Sequence, residues 1–486
     1  MAQCPSCGRD LQVTQDDGVS CPECDSLAKQ APARHTPSLA EYLLRFPATT
    51  VLLALNILVF AAMVLFGHVS PKYPTTDQLI RWGADSGEKV ILHNQWWRII
   101  TAAFIHIGAI HLVMNMWALW VLGTLAEAVL GTYLYLGIYF VSAIAGSLAS
   151  LYWHPAAVGA GASGAIIGIL GAVVSVLKFA RLPLPKEVLR STLRSLIQGA
   201  ALTLAIGIWG PIDNAAHVGG LACGLFIGLL LAWTRRAGPI LQRPLRQICL
   251  IVPFALMVPL AFAVQKQGEP RVHYVLAWEY FGAQHYDQAE KEARLALRRL
   301  PNRADVLEIL SKALFLENKD AEADKYLQQL IAVDPHNQFA VNTLALIDLR
   351  DGNAIVARDL LAKELSLQPR NADGQVYLGR ALQELNQDSE AIAHYRLALQ
   401  IDPNLFDAQL GLASIYEKSH KLPDALLLYQ KAAQTHPDSL EALRGLARAY
   451  LAAGLTQQAN QTIAQIRNRE QVTRGQGTGK NEVSSK

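Results

Sequence analysis

Residues 48–265 are dominated by long apolar runs, whereas residues 266–486 alternate charged and apolar positions at helical spacing. A helix needs about 20 apolar residues to cross the hydrocarbon core of a bilayer. The apolar half divides into runs of that order at 48–66, 100–123, 131–152, 161–177, 195–212, 214–233 and 247–264. Six of them are predicted to form a helical core. The seventh, flanked by Arg246 and Lys266, is predicted to cross as well, despite Pro253 and Pro259. A polar stretch, 68–95, separates the first two runs and leads into Trp96-Trp97, the composition of an interfacial loop.

The second half repeats itself. Prolines stand at Pro301, Pro335, Pro369, Pro403 and Pro437, each 34 residues after the last. Twelve residues before each is an alanine: Ala289, Ala323, Ala357, Ala391 and Ala425. Tyr280, Leu314, Leu382 and Tyr416 precede such an alanine by nine. This period is similar to that of tetratricopeptide (TPR) repeats, helix–turn–helix units that stack into a superhelix. A sixth unit with Leu446, Tyr450 and Ala459 lacks the terminal proline and reads as a cap. Such a solenoid binds extended peptides or helices on its concave face. His394, His420 and His436 fall at non-matching repeat positions and read as surface residues. The last residues, 470–486, are polar and are expected to be disordered.

Charge and cysteine add an orientation. The chain of 486 residues has a formal charge of only +3, so bulk electrostatics imply no nucleic-acid partner. Basic residues gather between the fourth and fifth runs (Lys178, Arg181, Lys186, Arg190, Arg194) and after the sixth (Arg235, Arg236, Arg243, Arg246). The positive-inside rule makes both segments cytoplasmic. The N-terminus is then cytoplasmic and, across a seventh span, the repeats extracytoplasmic. Cys4-Pro5-Ser6-Cys7 and Cys21-Pro22-Glu23-Cys24 are two CPxC knuckles separated by thirteen residues. Two knuckles supply a closed tetrahedral set of four thiolates for a structural zinc ion, and a segment this short has no core to fold without metal. Thiolate ligands also suit a reducing compartment.

Polar residues inside the apolar runs carry the chemistry, because an ionisable group in a membrane is a functional candidate. Ser163 stands in Gly161-Ala162-Ser163-Gly164 at the start of the fourth run. His111 and Asn115 lie four apart, on one face of the second, and His217 opens the sixth. Gly164, Gly168 and Gly171 form one small-residue stripe, and Gly220, Gly224 and Gly228 another. Such stripes let helix backbones approach closely, which would bring Ser163 within reach of His217. The predicted chemistry is nucleophilic attack by Ser163 with His217 as general base. His111, Asn115 and the Ser163 backbone N–H would hold the oxyanion. No Asp or Glu lies in either helix and Asp213 only borders the sixth, so a dyad is read.

These residues resemble the rhomboid intramembrane serine proteases. The likeness rests on Trp97-Arg98, His111-x3-Asn115, Gly161-x-Ser163-Gly164 and Ala216-His217-x2-Gly220-x3-Gly224, in that order, over roughly 45–235. It implies a six-helix core, Ser163 as nucleophile, His217 as base, and His111 with Asn115 at the oxyanion hole. It also implies that Trp97-Arg98 lies in a membrane-embedded first loop, that Glu127 is a structural acid, and that substrate transmembrane helices are cut near their outer end. One position departs: four residues after the nucleophile, where the family often has an aromatic ring beside the base, this chain has Ile167.

The expected architecture is all-α. It has a polytopic membrane helix bundle (a rhomboid-like core over 48–240 and a seventh span at 247–265), a zinc ribbon at 1–30 and a linker at 31–47. A TPR α-solenoid follows at 270–469, with a tail at 470–486. The expected function is a serine endopeptidase of the cell (inner) membrane. It would act on transmembrane substrates, in contact with lipid, with the repeats and ribbon binding substrates or other proteins. The contrasting reading is a catalytically inactive, membrane-anchored TPR scaffold or chaperone-like adaptor.

Overall fold

The computed structural model describes residues 12–13, 19–20, 44–180, 185–209, 213–235 and 239–479. It divides into two compact units, Met1–Gly268 and Glu269–Lys486. The four ribbon cysteines lie outside the described residues. Between the two pairs in sequence, β1 (Gln12–Val13) and β2 (Val19–Ser20) form an antiparallel hairpin.

The apolar runs are helices: α1 (Pro47–Leu65), α4 (Ala109–Leu130), α5 (Thr132–Trp153), α6 (Ser163–Phe179), α7 (Lys186–Trp209) and α8 (Asn214–Thr234) in the first unit, and α9 (Pro239–Gly282), which begins in it and ends in the second. Among the described residues six helices are long and apolar enough to cross a membrane, α9 included. The shorter α6, at 17 residues, spans about 26 Å, less than the ~30 Å hydrocarbon thickness. A helix this short that reaches one face of the bilayer must begin inside it. Ser163 is its first residue.

Packing centres on α5, α6 and α8. Tyr135, Tyr139, Leu148, Ile169 and Ile227 are fully buried there. Ile110, Val113, Met114 and Trp117 of α4 are exposed, at the three- and four-residue spacing of a lipid-facing stripe. The glycine stripes meet as expected. A methyl group at Gly220 would overlap the Gly164 carbonyl oxygen, and one at Gly224 the Gly168 carbonyl oxygen. At Gly228 it would come within 2.5 Å of the Ala172 carbonyl oxygen.

Two expectations about elements are corrected. The second apolar run is one span in sequence, but α4 starts only at Ala109. Residues 98–104 form the short helix α3 (Arg98–Thr101) and a 3₁₀ turn, and the chain then breaks at Gly108, whose φ is +91°. The 68–95 stretch is not plain loop. It holds α2 (Thr76–Trp82), the strand β3 (Asp85–Ser86) and a single π-helical turn at Glu88–Leu92. β3 pairs antiparallel with β4 (Val158–Gly159), Asp85 opposite Gly159 and Ser86 opposite Val158.

The second unit is a TPR array from α10 (Tyr286–Leu297) to α19 (Leu440–Ala452), closed by α20 (Thr456–Gly479). Ala289, Ala323, Ala357, Ala391, Ala425 and the cap's Ala459 are all fully buried. Only a methyl group fits where paired helices cross. Every repeat also turns through a left-handed residue at the same 34-residue interval: Gln284, Asn318, Gly352, Asn386, His420 and Gly454, with φ between 55° and 80°. His420 therefore occupies a repeat position after all. His394 is half-buried, its Nδ1 2.7 Å from Gln375 Oε1, and is not a plain surface residue. Helix α20 runs through 470–479, into the stretch expected to be disordered.

Candidate active site

Ser163 caps a short strand-and-turn. β4 leads to Gly161, whose N–H donates to the Ala102 carbonyl at 2.9 Å and whose φ is +125°. The turn requires glycine twice over: φ is in the left-handed half of the map, and a Cβ there would lie 2.7 Å from the His111 ring. This turn delivers the Ser163 hydroxyl to His217 on α8, with Oγ 2.9 Å from Nε2. The meeting of the glycine stripes makes that distance possible.

His217 is 2% exposed, and its Nδ1 has no protein partner among the described residues. Asp213 is the N-cap of α8 and accepts from the Ala216 N–H at 3.0 Å, so its carboxylate is used on the backbone. The arrangement is a Ser–His pair without a carboxylate on the second nitrogen. Ile167, one helical turn beyond Ser163, is buried.

His111 and Asn115 approach from α4. The Ile107 N–H donates to His111 Nδ1 at 3.3 Å. A neutral imidazole that accepts at one nitrogen carries its proton on the other, so Nε2–H faces Gly161, 3.1 Å from where a Cβ would stand. Asn115 is 6% exposed, and its Nδ2, 3.7 Å from that same point, donates to no protein group among the described residues. Two donors thus converge beside the serine. His106, a polar residue of the second apolar run with no role assigned from sequence, is fully buried with its ring 5.3 Å from that of His111. Its position two residues ahead of the Gly108 break was the available signal.

The first loop is braced by Arg98. Its guanidinium donates to the Gln95 side chain at 2.7 Å and to the Ala84 carbonyl at 2.9 Å, and lies 4.6 Å from the Trp97 ring centre. Thr101 Oγ1 donates to the Gly83 carbonyl at 2.7 Å. Farther away, Glu127 accepts from the Ala48 and Thr49 N–H groups at 3.0 Å, the Thr49 hydroxyl at 2.8 Å and the Thr132 hydroxyl at 2.9 Å. One carboxylate thereby joins α1, α4 and α5.

A helical membrane core with a serine hydroxyl set against a buried histidine defines a class, and known sequences place the chain in it. The rhomboid domain matches residues 93–234. Tetratricopeptide repeat signatures match 274–338, 379–419 and 418–477. The chain is 30% identical over 302 residues to rhomboid protease GluP of Bacillus subtilis, covering 62% of this chain and 57% of that protein. It is 37% identical over 166 residues to the mitochondrial RHOMBOID-like protein 6 of Arabidopsis thaliana, covering 34% of this chain and 53% of that one. It is 34% identical over 202 residues to rhomboid protease AarA of Providencia stuartii, covering 37% of this chain and 71% of that protein. The chain belongs to the rhomboid family. It is a multi-pass membrane protein with TPR repeats, and it spans a little over half the length of the first two relatives.

Proposed function

We propose that the chain is an intramembrane serine protease that hydrolyses peptide bonds in or near transmembrane helices through a Ser163–His217 dyad. The 2.9 Å contact between Ser163 Oγ and His217 Nε2, in a protein of this family, carries the reading. His217 Nε2 takes the hydroxyl proton as Oγ adds to the scissile carbonyl. The oxyanion then meets His111 Nε2–H, the Asn115 amide and the Ser163 backbone N–H. His217 returns the proton to the leaving amine, and a water molecule deacylates the serine by the same route. A regular helix hides its carbonyls in internal hydrogen bonds, so substrates with locally unwound helices react best.

A fluorophosphonate probe tests the reading. The wild-type chain should be labelled, and Ser163→Ala and His217→Ala should not; equal labelling of Ser163→Ala would defeat it. Cys4, Cys7, Cys21 and Cys24 are assigned one structural zinc ion. Four thiolates close the tetrahedron, so no chemistry runs through the metal. The ribbon and the concave face of the repeats are assigned to binding substrates or other proteins. The protein is assigned to the cell (inner) membrane, N-terminus cytoplasmic and repeats outside.

A further inference from the structure

Asp85 has no place in the reaction described above, yet it is the most deeply enclosed carboxyl near the nucleophile loop. It is 1% exposed and lies on β3, outside the spanning helices. Among the described residues neither of its oxygens has a hydrogen-bond partner, and the nearby Ser147 hydroxyl of α5 donates to the Ile99 carbonyl at 3.2 Å. Gly159 is the residue paired with it across the β3–β4 ladder, and a Cβ at Gly159 would fall on an Asp85 oxygen. The strand that ends four residues before Ser163 is therefore shaped around this carboxyl.

We propose that Asp85 is a positioning residue for the nucleophile, its carboxyl holding Gly159, and through it the Gly161–Ser163 turn, more firmly when ionised than when protonated. The proposal rests on Ser163 being the nucleophile. The connection is short and stiff. Asp85 meets Gly159 across the ladder, the Gly87 N–H donates to Pro155 at 3.1 Å, and Gly161 is fastened to Ala102 at 2.9 Å. Charged groups facing the carboxyl, among the described residues, are Arg98 from α3, which favours ionisation, and Asp213 ahead of α8, which opposes it. Burial pushes Asp85 up to about 6, so its charge changes just below neutral pH. The sign for stability follows. Between about pH 4 and 6 the folded chain keeps a proton that the unfolded chain has released, so stability falls as pH rises through that window.

The test uses full-length protein in detergent micelles and the rate of fluorophosphonate labelling from pH 5 to 8. Asp85→Ala should react roughly tenfold to a hundredfold more slowly than wild type at pH 7.5, the cost of a loosened nucleophile. Asp85→Asn keeps the shape and one acceptor, and should recover most of that rate. Its decline below neutral pH should be shallower than that of wild type, because residue 85 then no longer titrates. Its thermal midpoint should lack the downward slope between pH 4 and 6. Superimposable pH profiles for wild type and Asp85→Asn, or an unchanged rate for Asp85→Ala, would overturn the proposal alone. Absence of labelling in the wild type would remove it together with the dyad.

Discussion

Glu127 shows what a single side chain can hold in this fold. Four donors from two helix starts converge on its carboxylate, and hydrogen bonds to a charged group are each worth about 1.5–3 kcal/mol. Glu127→Gln is nearly isosteric but turns an NH2 group toward N–H donors. It should lower the thermal midpoint of the detergent-solubilised protein by several degrees, and Glu127→Ala by more; midpoints equal to wild type would show the clamp to be idle. At this scale the sequence was informative where polarity stood out. Ser163, His111, Asn115 and His217 are conspicuous inside apolar runs, and the structure sets His217 against Ser163 and brings His111 and Asn115 to Gly161. Asp85 was not conspicuous, and His106, though inside an apolar run, was given no role. Asp85 sits in a polar stretch where carboxylates are ordinary, and it is buried where β3 pairs with β4. Ile167 marks a departure that motif reading notices, and the fold buries it.

Between α6 and α8, the glycine stripes bring backbone against backbone. Gly224→Ala and Gly220→Ala must each push α8 away from α6, at a cost of about 1–3 kcal/mol or more. Both should lose fluorophosphonate labelling along with thermal stability. Gly199→Ala on α7 meets nothing within 4 Å and should keep its labelling, since alanine is the better helix former by roughly 1 kcal/mol. If Gly224→Ala reacted as fast as Gly199→Ala, the close approach would not govern the dyad. The stripes were legible because small residues at four-residue spacing have one structural meaning. The start of α4 was not: the apolar run is unbroken from residue 100, and composition does not distinguish a span from short turns leading into one. Only Gly108, with its positive φ, marks the boundary. The repeat turns were half legible. Asparagine and glycine recur there in the familiar left-handed role, but Gln284 and His420 do not look like turn residues until the 34-residue interval is counted.

For the whole chain, the period of the prolines and alanines revealed the repeat unit, and the apolar runs the membrane unit. The ribbon and the sidedness of the ends rest on cysteine spacing and loop charge. One experiment addresses both. An impermeant maleimide outside intact cells should label a cysteine introduced into the repeats. It should leave Cys4, Cys7, Cys21 and Cys24 untouched until the cells are opened and zinc is stripped by a chelator. Unlabelled repeats would remove the seventh span, and ribbon cysteines reactive without chelation would remove the metal. Glu127 also sets a timetable for synthesis. The amide of Ala48 leaves the ribosome 79 residues ahead of the carboxylate that receives it, and the Thr132 hydroxyl that completes the clamp emerges later still. The bonds that hold the start of the first span can therefore form only once residue 127 has been made. Assembly of the core is the closing of a ring, and a nascent chain stalled before residue 127 has nothing to close it with.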